Sequence, residues 1–171
     1  TLVGTLLGNE KLVRTSKTPG QTRNVNYFSK GKSAGSSQMY LVDLPGYGFA
    51  RKSQSEKRKW VTYISEYVQS RDFSVLRRCY ILVDSRREIS ANDIEMLDFL
   101  HDMRMPHQII LTKSDAASER ELALCLESVF DEIMKPHRNA CLPIIHAVSA
   151  RKERGIAELK CAMAEILKQP F

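Results

Sequence analysis

The 171-residue sequence predicts a single α/β domain built on a doubly wound, mostly parallel sheet with one antiparallel edge strand. Three observations predict it. Short apolar runs rich in Val and Ile recur along the chain. Stripes of apolar residues at helical spacing separate them. Compact polar residues follow directly on the apolar runs, where the strands of such a sheet end.

In chain order, "NVNYF" (Asn24–Phe28) and "MYLVD" (Met39–Asp43) flank the polar, glycine-bearing "SKGKSAGSSQ", which predicts two antiparallel strands joined by a loop. Trp60, Ile64, Tyr67 and Val68 recur at the spacing of one helix face. "CYILVD" (Cys79–Asp84) is apolar at successive positions, as suits a strand covered on both faces. Ser90 to Arg104 opens with a Ser followed three residues later by Asp93, a variant of the capping box, and predicts a helix. "HQIILT" (His107–Thr112) predicts the next buried strand. Leu122, Cys125, Leu126, Val129, Phe130 and Ile133 form another helical stripe, "PIIHAVS" (Pro143–Ser149) another strand, and Ile156, Leu159, Met163 and Ile166 the last helix. No repeat or linker interrupts the pattern, so residues 1–171 are expected to form one domain.

Composition narrows the function classes. A hydrophobic fraction of 43% and a charged fraction of 27% are ordinary for a globular chain. No apolar run approaches the roughly 20 residues of a membrane span, and the leading reading includes no membrane partner. Cys79, Cys125, Cys141 and Cys161 form no CxxC pair and sit among apolar neighbours, which predicts buried free thiols. His101, His107, His137 and His146 have no metal-ligand spacing. The net charge of +6 allows a polyanionic partner.

In doubly wound sheets, ligands bind beyond the carboxyl ends of the strands. Asp43-Leu44-Pro45-Gly46 follows one strand, Asp84-Ser85-Arg86 the next, Thr112-Lys113-Ser114-Asp115 the third, and Ser149-Ala150 the fourth. A lone DxxG is usually a simple turn, and a lone TKxD a solvated loop. The ordered set DxxG, TKxD, SA, each on a strand end, is hard to obtain by chance. It resembles a guanine-nucleotide-binding P-loop GTPase of the TRAFAC type. The finer text "RTSKTPGQT", "DLPGYGFA", "LVDSR" and "LTKSD" resembles the EngB (YihA/YsxC) family of ribosome-assembly GTPases, from Leu2 to about Leu159.

The resemblance carries specific expectations. "TLVGTLLG" resembles the helix that follows the phosphate-binding loop, so the first strand and the GxxxxGK[ST] motif are expected before Thr1. Asp43 would hold Mg²⁺ through water, and the Thr22 hydroxyl would complete the metal shell in the triphosphate state. Gly20, Gln21, Arg23 and Asn24 would surround Thr22. Gly46, lacking a side chain, would let its N–H approach the γ-phosphate, and Leu44 and Pro45 would complete that loop. A strand that ends on a carboxylate gives the metal a fixed anchor. The glycine-flanked loop after it can move when the γ-phosphate leaves.

Asp115 can accept from both the N1–H and the exocyclic amine of guanine, whereas adenine presents an acceptor at N1. The Lys113 stem would cover one face of the base. Thr112 would brace the loop, with Ser114 beside it, and Ser149 and Ala150, after Val148, would offer backbone N–H groups to the guanine carbonyl. Many small GTPases carry a glutamine after DxxG. Here that position is Tyr47, which predicts slow intrinsic hydrolysis and help from K⁺ or a partner.

Basic residues gather at Lys30 and Lys32, at Arg51, Lys52, Lys57, Arg58 and Lys59, at Arg77 and Arg78, at Arg86 and Arg87, and at Arg151, Lys152 and Arg154. Arg51, Lys52, Lys57, Arg58 and Lys59 directly follow the glycine loop and are candidate rRNA contacts. The expected protein is thus a GTP- and GDP-binding, slowly hydrolysing switch that joins an immature large ribosomal subunit and is otherwise monomeric. The alternatives are a non-catalytic, rRNA-binding placeholder that keeps the fold, and a GTPase serving another RNA or a membrane partner. "CLPIIHAVSA" resembles mitochondrial members of the family, with the bacterial cytoplasm as the alternative setting.

Overall fold

The computed structural model describes residues 1–9, 25–30, 39–47, 54–72 and 74–168. Its elements are α1 (Leu2–Leu7), β1 (Asn26–Lys30), β2 (Met39–Asp43), α2 (Gln54–Gln69), β3 (Cys79–Asp84), α3 (Ala91–Asp102), β4 (His107–Thr112), α4 (Glu119–Ile133), β5 (His146–Ala147) and α5 (Ile156–Lys168). Strand and helix alternate as the apolar pattern requires.

β1 and β2 form the expected antiparallel pair, in register from Asn26 opposite Asp43 to Lys30 opposite Met39. Val25 precedes the strand, which begins at Asn26 among the described residues, and Asn24 lies outside them. β3, β4 and β5 are parallel, with β4 in the centre. Cys79 to Asp84 pair with His107 to Thr112, and Ile110 and Leu111 pair with His146 and Ala147. β5 is shorter than "PIIHAVS" suggested. Pro143 has no N–H for the ladder, and Ile144 is exposed.

The mostly parallel architecture with an antiparallel pair is present, but among the described residues the strands fall into two sheets. Between β2 and β3 lies a cavity of about 1290 Å³, lined on one side by Leu41, Val42 and Asp43 and on the other by Tyr80, Ile81 and Leu82. Backbone donors and acceptors pair only when strands approach to roughly 4.8 Å. Here open space separates the facing edges.

The three-stranded sheet is covered on both faces, which makes it doubly wound. Ile109 and Leu111 point to one face, where they meet Ile64 and Val68 of α2, Leu97 and Leu100 of α3, and Val129 and Ile133 of α4. Ile110, between them, points to the other, where it meets Leu6 of α1 and Ile156, Leu159 and Met163 of α5. The period-two alternation of a strand thus divides one apolar run between two cores. Each such fully buried side chain contributes about 1.5–3 kcal/mol.

The helix caps are local. α3 opens with the expected box: Asp93 N–H donates to Ser90 Oγ, and Ser90 N–H donates to the Asp93 carboxylate. α4 has a second box, Ser118 with Glu121, that the apolar stripe did not reveal. Cys125 and Cys141 are buried free thiols as expected, but Cys79 is only partly covered and Cys161 is exposed, on the outer side of the amphipathic α5. No helix among the described residues is long and apolar enough to cross a membrane.

Candidate functional site

The polar strand ends lie where parallel pairing puts them. Asp84 and Thr112 are the last residues of β3 and β4 and are partners in register. Val148 continues the line beyond β5, its N–H donating to Leu111 O at 2.7 Å. Parallel strands end on one side, so Asp84, Thr112–Asp115 and Val148–Ala150 share one rim.

The Asp115 loop and the Ser149 loop are bonded together. Ser149 is fully buried. Its hydroxyl donates to Asp115 Oδ1 at 2.6 Å and accepts from Lys152 N–H at 3.0 Å. Ser114 N–H donates to Val148 O at 3.2 Å. That hydroxyl, with the nearby Arg151 and Lys152 charges, holds the Asp115 carboxyl below its ordinary range, so it is ionised at neutral pH. An ionised carboxylate is acceptor-only, which suits an edge that presents two donors.

Other contacts fix the same rim. Thr112 Oγ1 donates to Val83 O at 3.1 Å and ties β4 to β3. Lys113 has φ +59°, and Ala116 N–H donates to its carbonyl at 2.9 Å, so the lysine sits at a tight turn. Thr5 of α1 donates to Ala150 O at 3.4 Å. One expectation is corrected. The Ser149 N–H, thought free to meet a ligand, donates to Arg154 O at 3.0 Å, because Ser149 and Arg154 form an antiparallel bridge. The Ser149 hydroxyl, by contrast, bonds to Asp115.

The second half of the site follows β2. Asp43 is half-buried, and burial raises its carboxyl pKa. A carboxylate that is costly to ionise in a partly dry place is one that a hard cation would stabilise. The Asp43 carboxylate fits an ion such as Mg²⁺, which takes most of its shell from water and phosphate oxygens. Pro45 is buried, and its carbonyl accepts from the Trp60 indole N–H at 2.8 Å. The Tyr47 hydroxyl donates to Asp93 Oδ1 at 2.8 Å, and its ring lies 6.4 Å from that of Trp60. Burial and the Asp93 charge push the phenol pKa far up, so Tyr47 stays neutral and cannot serve as a base. Asp43, Gly46 and Lys113 line the same cavity, which joins the two halves of the site.

Gly20, Gln21, Thr22, Arg23, Asn24, Arg51 and Lys52 lie outside the described residues, as does the side chain of Lys57. Arg58 and Lys59 are exposed on α2. Four other basic residues have partners within the fold. Arg77 donates to Ile166 O, Arg78 to the Gln108 side chain, Arg86 to Asp84 and Arg87 to Asp93. Two carboxylates emerge as hubs that sequence reasoning did not assign to the site. Asp93 was legible only as a cap, and Asp84 only as a polar strand end. Neither pattern carries the identity of a partner distant in sequence.

A family model described as "50S ribosome-binding GTPase" matches residues 1–113. A probable GTP-binding protein EngB from Allorhizobium ampelinum is 36% identical over 168 residues, covering 96% of this chain and 75% of the relative. Its counterpart from Brucella melitensis is 37% identical over 172 residues, covering 98% of this chain and 70% of the relative. Among solved structures, a probable GTP-binding protein engB superposes with a TM-score of 0.67 at 20% identity, covering 99% of this chain and 92% of that one. The bacterial selenocysteine-specific elongation factor EF-Sec superposes with a TM-score of 0.69 at 20% identity, covering 99% of this chain and 26% of that one. At these identities the structural likeness speaks to the fold, which is that of a P-loop GTPase.

Proposed function

The chain belongs to the EngB family of GTPases, and from that membership we propose that the whole protein is a GTP-driven switch acting in assembly of the large ribosomal subunit. The observation that carries the ribosomal part is the family match, whose description names the 50S ribosome. The nucleotide part is supported by the ionised Asp115 held by Ser149 Oγ at 2.6 Å. In this reading Asp115 takes the guanine edge, the Lys113 stem covers the base, Gly46 approaches the γ-phosphate, and Asp43 with Thr22 holds Mg²⁺. When bound there, the metal would supply positive charge beside the phosphate oxygens. Tyr47, occupied with Asp93, orients no water, so turnover without a partner is slow, and K⁺ or a ribosomal particle speeds it.

The β2–β3 cavity belongs to the same proposal. Its facing strand edges suit one further parallel strand leading into a phosphate-binding loop, and the rhizobial relative extends beyond the 75% of its length that this chain spans. A mitochondrial setting completes the reading and rests on the resemblance of "CLPIIHAVSA". The test is co-sedimentation of the complete protein with large-subunit precursors, with a non-hydrolysable GTP analogue and with GDP. Binding that favours the GTP analogue supports the switch. Equal binding in both states supports the placeholder reading, and no binding removes the ribosomal role.

A further inference from the structure

The "LVDSR" run ends β3 on Asp84, a carboxylate to which the proposed function gives no task. Its surroundings are specific. Lys113 Nζ donates to Asp84 Oδ2 at 2.7 Å. Arg86 grips the same carboxylate at both oxygens, Nε to Oδ1 at 2.8 Å and Nη2 to Oδ2 at 2.7 Å, and the Arg86 backbone N–H donates to Oδ1 at 3.2 Å. A carboxylate clamped at both oxygens and rooted in the last residue of a strand has little freedom to turn. The two members of the Lys113 pair also differ in exposure: the lysine side chain is 58% exposed and the aspartate 19%. Asp84 is therefore the fixed member, and Lys113 is the one being held.

We infer that Asp84 is a positioning residue for guanine recognition, which holds the Lys113 ammonium so that the lysine stem lies ready to cover the base. The inference rests on the proposed role of Lys113. Its physics is conformational. A lysine has four rotatable side-chain bonds, and pressing its stem flat against a base removes most of that freedom. When the ammonium is already tethered to β3, much of the ordering is complete before the nucleotide arrives. The backbone agrees with this, since the left-handed turn at Lys113 launches the side chain from a set direction. The effect concerns the base, which GDP and GTP share. It differs in this respect from anything done by Asp43 or Gly46, which meet the phosphate end.

The test uses the complete protein with fluorescently labelled GDP and GTP. Asp84→Asn is nearly isosteric and removes the charge. It should weaken both nucleotides equally, by about three- to tenfold, the scale of a partly exposed ion pair together with some lost side-chain order. Asp84→Glu, which keeps the charge one methylene farther out, should lose less. In a Lys113→Ala background, Asp84→Asn should have no further effect. An undiminished effect in that background, or none in the wild type, overturns the positioning role. A loss on Lys113→Ala with none on Asp84→Asn overturns this inference alone and leaves the guanine site standing. Unchanged affinity on Lys113→Ala overturns the guanine-site reading and, with it, this one. Melting curves of each variant separate a binding loss from a folding loss. If Asp84→Asn does not fold, the comparison of Asp84→Glu in the two lysine backgrounds decides the question in the same way.

Discussion

At the scale of single residues, the chemistry of the site depends on which atoms are already committed. Asp115 has one carboxylate oxygen taken by Ser149, and the bond keeps the group ionised. Asp115→Asn replaces an acceptor-only group with an amide that also donates. Guanosine nucleotide affinity should fall by roughly a hundredfold or more, while xanthosine nucleotides, which carry a carbonyl in place of the guanine amine, should gain. Competition binding on the complete protein reads this directly, and an unchanged guanosine preference would remove Asp115 from its role. Gly155 is committed in a different way. Its φ is +68°, and a Cβ there would lie 2.4 Å from Ala147 O, inside contact distance of the backbone of β5. Gly155→Ala should therefore cost about 1–3 kcal/mol and lower the melting temperature by about 3 °C or more. Because Gly155 adjoins the Ser149–Arg154 bridge, the loss should include nucleotide affinity, measured on the same sample.

At the scale of elements, helix α3 couples its own cap to the loop after β2. Asp93 is almost wholly buried. Burial by itself raises its pKa, but bonds from Arg87, Ser90 and Tyr47 outweigh that and hold it below the ordinary 3.8. The sign follows from linkage. A carboxylate whose folded pKa is depressed adds stability above its unfolded pKa and loses it as pH falls through the folded value. The melting temperature of the wild type should therefore drop more steeply below about pH 4 than that of Asp93→Asn. The variant should be the less stable of the two at pH 7, with the gap closing toward pH 2. Thermal melts across that range check both statements. A gap independent of pH would mean that the Asp93 charge does not hold the cap and loop. Trp60 is the only tryptophan of the chain, and its indole is bonded to Pro45 in the same loop. Tyr47→Phe removes only the hydroxyl bonded to Asp93. It should shift Trp60 emission and change its response to GTP relative to GDP. Identical spectra in both proteins would show that this bond does not set the loop.

At the scale of the whole molecule, charge is divided between fold and surface. Arg86 and Arg87 are paired with the carboxylates of Asp84 and Asp93, while Arg77 and Arg78 donate to the neutral Ile166 carbonyl and Gln108 side chain, so these four side chains already have partners within the fold. The candidates that remain follow the loop after β2 in sequence: Arg51, Lys52 and Lys57, with Arg58 and Lys59 exposed on α2. Phosphate contacts carry no sequence information but release counterions, and each lost contact lowers the salt slope by about one. Charge reversal at Arg51, Lys52 and Arg58 should weaken binding to large-subunit precursors and flatten its salt dependence. GDP affinity should stay nearly intact, since none of the three is assigned to the nucleotide. A full salt slope retained by the variant would leave this run a solvated face.

The sequence by itself determined the local part of this protein. The alternation of elements, the Ser90–Asp93 cap and the polar strand ends were legible because each depends on residues within a few positions of one another, and pattern and propensity act at that range. The family motifs were legible for the same reason. Tertiary structure decided what distant residues do to each other. It parted Ile110 from Ile109 and Leu111 between two cores, gave the Ser149 N–H to Arg154 and its hydroxyl to Asp115, turned Tyr47 toward Asp93, and set Asp84 against Lys113. It also left the edges of β2 and β3 facing each other across open space. Hydrogen bonds and ion pairs act over about 3 Å, and only the folded chain brings residues tens of positions apart within that distance.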